Sequence, residues 1–243
     1  SILAWIIDSL LFFFTLGGRK MIFSRQALLI DRYFFTAGTT TDRLRRFTWE
    51  LPQTILGYLS AHVLNFSGKL ASVAPFESEV VLGGRYSGGS FSLGTFVFMA
   101  GSGQPDWRDH LFVHEFGHTR QSRLTGPLYL FLIGLPSVLS FYAERLRWGD
   151  HRLRWYETWA NRMGGMWFDC RYGSGLPDFE EGSPGHFSLS AFREAGHRSP
   201  YKNPRNGTFQ PWGYTWLGKW HWTDLPLQIA GILPLAVLLS LIR

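Results

Sequence analysis

The chain has little cysteine and little charge. Cys170 is the only cysteine among 243 residues, which excludes an intramolecular disulfide framework and any zinc site built on paired thiolates. A metal ion in this protein would therefore be held by histidine and carboxylate side chains. Charged residues make up 17% of the sequence, whereas soluble domains usually contain about 25%. Aromatic residues also reach 17%, and this combination is typical of a folded protein that contacts lipid.

The sequence also has no long run of basic residues, although its net charge is +6. The cations occur in short groups beside aromatic residues, for example Arg43, Arg45 and Arg46 just before Phe47 and Trp49. No segment matches an RNP motif, a zinc finger or a basic zipper, so we do not expect nucleic acid as a partner. Arginine beside tryptophan is instead typical of a membrane–water interface, which predicts lipid as a partner.

Both ends of the sequence are apolar. Residues 1–20 begin with an apolar stretch that is closed by Arg19 and Lys20, and residues 225–243 carry no charge before the terminal Arg243. Since about 17–25 apolar residues can form a membrane-crossing helix, each segment is a candidate membrane helix. The basic residues after the first stretch favour a cytoplasmic position for the part of the chain that follows them.

Residues 42–222, between these ends, are predicted to form one zincin-like α+β domain, mostly helical with a small antiparallel sheet. Hydrophobic periodicity, turn residues and capping residues support this prediction. The predicted helices are Asp42–Asn65 with a break at Pro52, Asp106–Leu124 with Asp106 as N-cap, and His151–Phe168, and the predicted strands are Glu79–Leu82 and Phe91–Met99.

One segment carries a chemically specific motif. His114-Glu115-Phe116-Gly117-His118 matches H-E-x-x-H, the helical half-site of many zinc hydrolases. Residues four apart on an α-helix lie on the same face, so both imidazoles can reach one ion. Glu115 occupies the next position along the helix, where its carboxylate can accept a proton from water without being a ligand.

A catalytic zinc site needs a third protein ligand. The metzincin pattern would require glycine at position 121 and histidine at position 124, but the chain has Gln121 and Leu124. Glu144, Asp150 and His151 follow the motif at permissible distances. Asp150 suits the N-cap of the next helix, and Glu144 lies among arginines, so each has another explanation.

Glu157 is the preferred third ligand. Ala160 and Gly164 share its helix face and would permit close contact with the H-E-x-x-H helix, where Gly117 relieves crowding. Asn161, one turn after Glu157, can accept a hydrogen bond from a ligating histidine. The alternative interpretation of Glu157 is a surface carboxylate paired with a nearby arginine.

The shared ion constrains the apolar stretch Gly126–Tyr142. His118 and Glu157 flank this stretch and must lie at the same depth, so the stretch cannot cross a bilayer once. We expect a core helix, an in-plane helix or a re-entrant segment broken near Pro136.

H-E-x-x-H followed by E-x-x-A-[DN] resembles the gluzincin metallopeptidases. The strings LPQTILGYL, SFSLGTFVF, HEFGHTRQSRLTGPLYLFLIGLPS and WYETWANRMGG resemble a family of membrane-associated bacterial metallopeptidases, chiefly from Bacteroidetes. The resemblance implies a zincin-like fold and a Zn²⁺ ion held by His114, His118 and Glu157. Members of that family usually have aspartate where this chain has Asn161, and the resemblance implies no particular substrate.

These observations predict a membrane-associated bacterial zinc peptidase with a peptide or protein substrate and an unspecified oligomeric state. Glu115 would be the general base that accepts a proton from the attacking water and passes it to the leaving amine. The alternative is a non-enzymatic membrane-anchored protein with a relic or structural metal site. The candidate oxyanion donors are Tyr156, His151, Tyr214 and His221, and the other histidines, His62, His110, His186 and His197, are interpreted as structural or surface residues.

Overall fold

The computed structural model describes residues 24–85, 89–101, 105, 109–147, 151, 154–168 and 224–241. The predicted membrane helix at 1–20 lies outside these residues. The chain divides into two compact units, Ser1–Pro105 and Asp106–Arg243, so the predicted domain at 42–222 extends across their boundary.

The helices of the first unit are α1 (Arg25–Thr36), α2 (Thr40–Arg46) and α3 (Leu51–Phe66). α1 begins after Ser24, whose side chain accepts a hydrogen bond from the amide of Ala27. α2 begins with a capping box formed by Thr39 and Asp42. The predicted break lies earlier than expected, between α2 and α3. Pro52 lies in the first turn of α3, where a missing amide donor costs no helical hydrogen bond.

The sheet of the first unit has four strands in the order β1–β2–β4–β3: β1 (Leu70–Phe76), β2 (Glu79–Gly84), β3 (Phe91–Leu93) and β4 (Phe96–Ala100). β1 pairs antiparallel with β2, and β3 with β4, but β2 and β4 run parallel. The sheet is therefore mixed, and the prediction of an antiparallel sheet is wrong for its central pair. The predicted strand at 91–99 is interrupted by a turn at Gly94, which has a φ of 59°.

The core of the first unit is formed by the sheet together with α1 and α3. Phe34 on α1, Tyr58 on α3, and Phe96 and Phe98 on β4 are buried in one cluster. α3 approaches the sheet closely at Gly57, because a Cβ atom there would clash with the side chain of Phe96. Part of the high aromatic content of the sequence therefore belongs to this core.

The second unit is helical throughout its described residues. α4 (His110–Thr125) begins at Asp109, whose carboxylate accepts a hydrogen bond from the amide of Leu111, so Asp109 and not Asp106 is the N-cap. The elements that follow are a 3-10 turn (Gly126–Leu128), a π-helical turn (Leu130–Gly134), α5 (Leu135–Arg145), α6 (Trp155–Phe168) and α7 (Asp224–Leu241). The described protein is thus α+β and mostly helical.

The apolar stretch after α4 turns sharply at its beginning. The helical segments Leu111–Leu128 and Leu130–Arg145 meet at 117°, so the break lies near Tyr129 and not near Pro136, which lies in the first turn of α5. Within the described residues, no single helix is long and apolar enough to cross a membrane, although this bent pair passes the same test together.

Polar contacts attach α7 to the second unit. Asp224 accepts a hydrogen bond of 2.7 Å from the buried Arg154, and Gln228 donates one of 3.1 Å to the carbonyl of Leu132. One turn later, a Cβ atom at Gly231 would overlap neighbouring backbone, so the helix lies in close contact with the π-helical turn. The described part of the predicted C-terminal membrane segment therefore has a defined place within this unit.

Candidate metal centre

Helices α4 and α6 touch at two glycines. A Cβ atom at Gly117 would overlap the carbonyl of Ala160, and a Cβ atom at Gly164 would overlap the carbonyl of Val113. The two backbones therefore approach more closely than larger side chains would allow, which confirms the prediction made from the small residues on these helices. The contact places the H-E-x-x-H segment of α4 against the first turn of α6, where Glu157 lies.

His114, His118 and Glu157 converge at this crossing. The Nε2 atoms of the two imidazoles lie 3.1 and 3.2 Å from Oε2 of Glu157. The three ligand atoms lie within 4.8 Å of one another, and the three residues are 6%, 6% and 1% exposed. Two ligands at about 2.0–2.1 Å from a tetrahedral ion lie about 3.3 Å apart, which is close to both measured separations. The cluster can therefore hold a metal ion.

Glu157 is not the surface carboxylate of the alternative interpretation. Its Oε1 atom is buried and has no hydrogen-bond partner among the described residues. A buried carboxylate oxygen without a partner is unfavourable unless a cation compensates it. Arg154, one of the arginines closest in sequence, forms an ion pair with Asp224. The surroundings of Glu157 therefore fit a cation ligand.

An amide oxygen orients each of the two ligand histidines. Nδ1 of His114 lies 2.8 Å from Oδ1 of Asn161, the contact predicted from the sequence. Nδ1 of His118 lies 2.7 Å from Oε1 of Gln121. Because an amide oxygen only accepts hydrogen bonds, the neutral form of each ring carries its proton on Nδ1. Each Nε2 then presents its lone pair to the cluster, as a metal ligand must.

Gln121 is a site residue that the motif does not reveal. Its side chain is fully buried, and its Nε2 donates a hydrogen bond of 2.7 Å to the carbonyl of Tyr156 while its Oε1 faces His118. Gln121 thereby links a ligand on α4 to the residue that precedes Glu157 on α6. The only signal in the sequence is its position three residues after His118, on the same side of the helix.

The charges of the cluster are strongly coupled. Burial opposes the charged form of His118, but Glu157 and then Glu115 outweigh it and raise the pKa of His118 to about 9. Burial also opposes ionisation of Glu157, but His151, His118 and His114 hold the pKa of Glu157 well below its ordinary value. Glu157 is therefore ionised at neutral pH, and a metal ion must displace a proton from His118 to bind.

His151 lies at the edge of the cluster. Its Nε2 is 3.7 Å from Oε1 of Glu157, and its Nδ1 is 2.5 Å from Oγ of Ser140 on α5. Neither His151 nor Glu144 belongs to the group of ligand atoms within 4.8 Å of one another. Asp150, the remaining alternative ligand, lies outside the described residues.

The other predicted site residues have different surroundings. Glu115 is buried on α4, directly after His114. Tyr156 is also buried, and its hydroxyl donates a hydrogen bond of 3.0 Å to the carbonyl of Pro136. Burial raises the pKa of Tyr156, so this hydroxyl stays protonated. The last two oxyanion candidates lie outside the described residues; they are Tyr214 and His221.

The site thus offers two imidazoles and one carboxylate to a cation, with a further buried carboxylate and a third imidazole nearby. A scan against protein-family models and searches of curated proteins and of solved structures return no match to the chain.

Proposed function

We propose that the protein is a membrane-associated zinc peptidase of the gluzincin type. The observation that supports this most is the convergence of His114, His118 and Glu157 at a helix crossing built on H-E-x-x-H. Two imidazoles and a carboxylate are the ligands of catalytic zinc in many hydrolases. Bound there, Zn²⁺ would supply a Lewis acid that lowers the pKa of a water ligand to near neutrality.

Glu115 is the proposed general base. It is buried directly after His114 on α4, and it is not one of the three clustered ligands. It is also close enough to His118 to raise the pKa of that imidazole. A carboxylate in this position can accept a proton from the attacking water and return it to the leaving amine of a peptide.

His151 is the proposed donor to the carbonyl oxygen of the substrate. Ser140 contacts its Nδ1, so the opposite ring nitrogen faces Glu157 at the edge of the cluster. A donor at this place can stabilise the negative charge that develops on the carbonyl oxygen during hydrolysis. Tyr156 is less suitable, because its hydroxyl is already engaged with the backbone of Pro136.

We also infer that the protein associates with a bacterial membrane. The support is the low charge of the chain and the apolar segments at 1–20 and 225–243. In the described part of α7, Ile229, Leu233 and Val237 are more than half exposed. Large exposed aliphatic side chains of this kind mark surfaces that contact lipid or protein.

The substitution Glu115→Gln tests the proposed reaction. An amide cannot accept the proton, so turnover of a quenched fluorescent peptide library should fall by about 100-fold or more while zinc content is unchanged. The matched control is Glu144→Gln, which changes a glutamate of α5 outside the ligand group and should preserve both zinc and turnover.

Two outcomes would contradict the proposal. Turnover by the Glu115→Gln protein within a few-fold of wild type would remove the role of Glu115. Wild-type protein that binds zinc but cleaves no peptide or unfolded protein would instead support the alternative, a structural metal site in a non-enzymatic membrane protein.

A further inference from the structure

Helix α3 reverses the usual distribution of polar and apolar residues. An amphipathic surface helix normally buries its apolar stripe and exposes its polar residues. The buried side chains of α3 instead include Gln53, Thr54, Tyr58, His62 and Asn65. The helix contains no charged residue at all.

The outward face of α3 is aliphatic. Ile55, Leu56, Leu59 and Val63 follow one another at helical spacing and are 43%, 45%, 38% and 49% exposed. We call these four residues the α3 face. A contiguous group of large aliphatic side chains is unfavourable in water, so its exposure indicates a surface with an apolar partner.

Hydrogen bonds hold α3 in this orientation. The Tyr58 hydroxyl and Nε2 of His62 donate to Oδ1 of Asp31 on α1, over 2.5 and 3.3 Å. Nδ2 of Asn65 donates to Oγ of Ser24 over 2.9 Å. A rotation that buried the α3 face would break these bonds and leave polar groups without partners. The interpretation of His62 as a structural residue is confirmed by this contact.

Basic residues dominate the remaining surface of the first unit. Of the five carboxylates in residues 24–101, three are buried: Asp31, Glu50 and Glu79. Six of the seven cations in the same residues are not buried: Arg25, Arg32, Arg43, Arg45, Lys69 and Arg85. On α1, Arg25 and Arg32 are exposed alongside Leu28 and Phe35. This mixture of cations with apolar side chains complements an anionic surface that has an apolar interior.

We propose that the α3 face lies against the acyl chains of a bilayer with anionic headgroups. α3 would lie in the plane of the interface, with its aliphatic side chains in the hydrocarbon boundary and the arginines of α1 and α2 at the phosphates. Trp49, which is 49% exposed two residues before α3, is of the type that accumulates at this depth. The inference depends only on the first unit and stands apart from the metal site.

A second copy of the chain fits this surface less well. A two-fold interface through the α3 face would bring the basic surroundings of one copy towards those of the other. Like charges across an interface disfavour association, whereas anionic lipid would neutralise them.

A nitroxide label at position 59 tests the proposal in the full chain. Leu59→Cys would be labelled in a Cys170→Ser background, and the matched control label would be at Lys69→Cys, an exposed position just beyond α3. The protein is bound to vesicles of phosphatidylcholine and phosphatidylglycerol, and collisions with oxygen and with a hydrophilic nickel complex are measured. Unchanged circular dichroism and zinc content would establish that both labelled proteins are folded.

The proposal predicts that position 59, relative to position 69, shows several-fold fewer collisions with nickel and more with oxygen. This protection should weaken in vesicles of phosphatidylcholine alone, and equal protection in both lipids would contradict the anionic requirement. Free access of nickel to position 59 would overturn the proposal. So would an immobile label that neither reagent reaches, because protein would then cover the α3 face.

Discussion

Nδ1 of His118 and Oε1 of Gln121 lie 2.7 Å apart, and both residues are buried on α4. Through its other amide atom, Gln121 also donates to the carbonyl of Tyr156 on α6. One side chain therefore fixes the ring of a ligand and the backbone that leads to Glu157. This makes Gln121 a positioning residue for the proposed metal site.

Two substitutions separate the contacts of Gln121. Gln121→Met removes both hydrogen bonds at similar volume and should weaken zinc binding by about 10–100-fold. Gln121→Glu keeps an acceptor for His118 but loses the donor to Tyr156, so zinc affinity should fall less while the melting temperature falls. Competition with a chelator measures the affinities. Gln228→Met, which removes a donor to the backbone far along α7, is the control and should leave zinc affinity unchanged.

His151 should affect turnover more than metal binding. If its Nε2 donates to the substrate, His151→Ala should lower kcat by about 100-fold, as loss of an oxyanion donor does elsewhere, with little change in zinc content. Ser140→Ala removes the contact to Nδ1 and should produce a smaller loss in the same parameter. Steady-state kinetics on a cleaved peptide provides the test. A His151→Ala protein with wild-type kcat would show that another group stabilises the oxyanion.

Much of the metal site is local in the sequence, which is why it could be predicted. His114 and His118 share a face because of the helical repeat alone, and the contact of Asn161 follows from its place one turn after Glu157. Gln121 could not be identified in the same way. One of its partners is a backbone carbonyl 35 residues away, which becomes a neighbour only when α4 and α6 pack together.

The sheet and the orientation of α3 depend on contacts that local patterns do not encode. β2 and β4 pair in parallel although β3 lies between them in the sequence, and strand-forming residues do not specify that choice. The composition of α3 shows that it is apolar, but not which face turns inward. That is decided by Asp31 and Ser24 on and beside α1, which accept the hydrogen bonds of Tyr58, His62 and Asn65.

The buried Asp31 should make the stability of the protein depend on pH. Burial opposes its ionisation, but hydrogen bonds from His62 and Tyr58 outweigh burial and lower the pKa of Asp31 below the ordinary value of 3.8. A carboxylate with a lowered folded pKa contributes stability above its unfolded pKa, and this contribution disappears as the pH falls through the folded pKa.

Asp31→Asn should therefore lower the free energy of unfolding by about 1–3 kcal/mol near neutral pH, with a smaller difference from wild type in acid. Denaturant unfolding over a series of pH values measures this. Glu77→Gln, a change of an exposed carboxylate in the same unit, is the control and should have little effect at any pH. A constant difference between the Asp31→Asn protein and wild type at all pH values would contradict the assignment.

The most direct test of the metal centre is the zinc content of purified ligand variants, measured by inductively coupled plasma mass spectrometry. Wild type, Glu144→Ala and His151→Ala should each carry one zinc ion per chain, whereas Glu157→Ala should lose both zinc and turnover. Glu157 is the carboxylate that lies within 3.2 Å of both imidazoles of the H-E-x-x-H motif, so its loss removes one of the three clustered ligands. Zinc retained by Glu157→Ala but lost from His151→Ala would contradict this ligand set and indicate a site of three histidines.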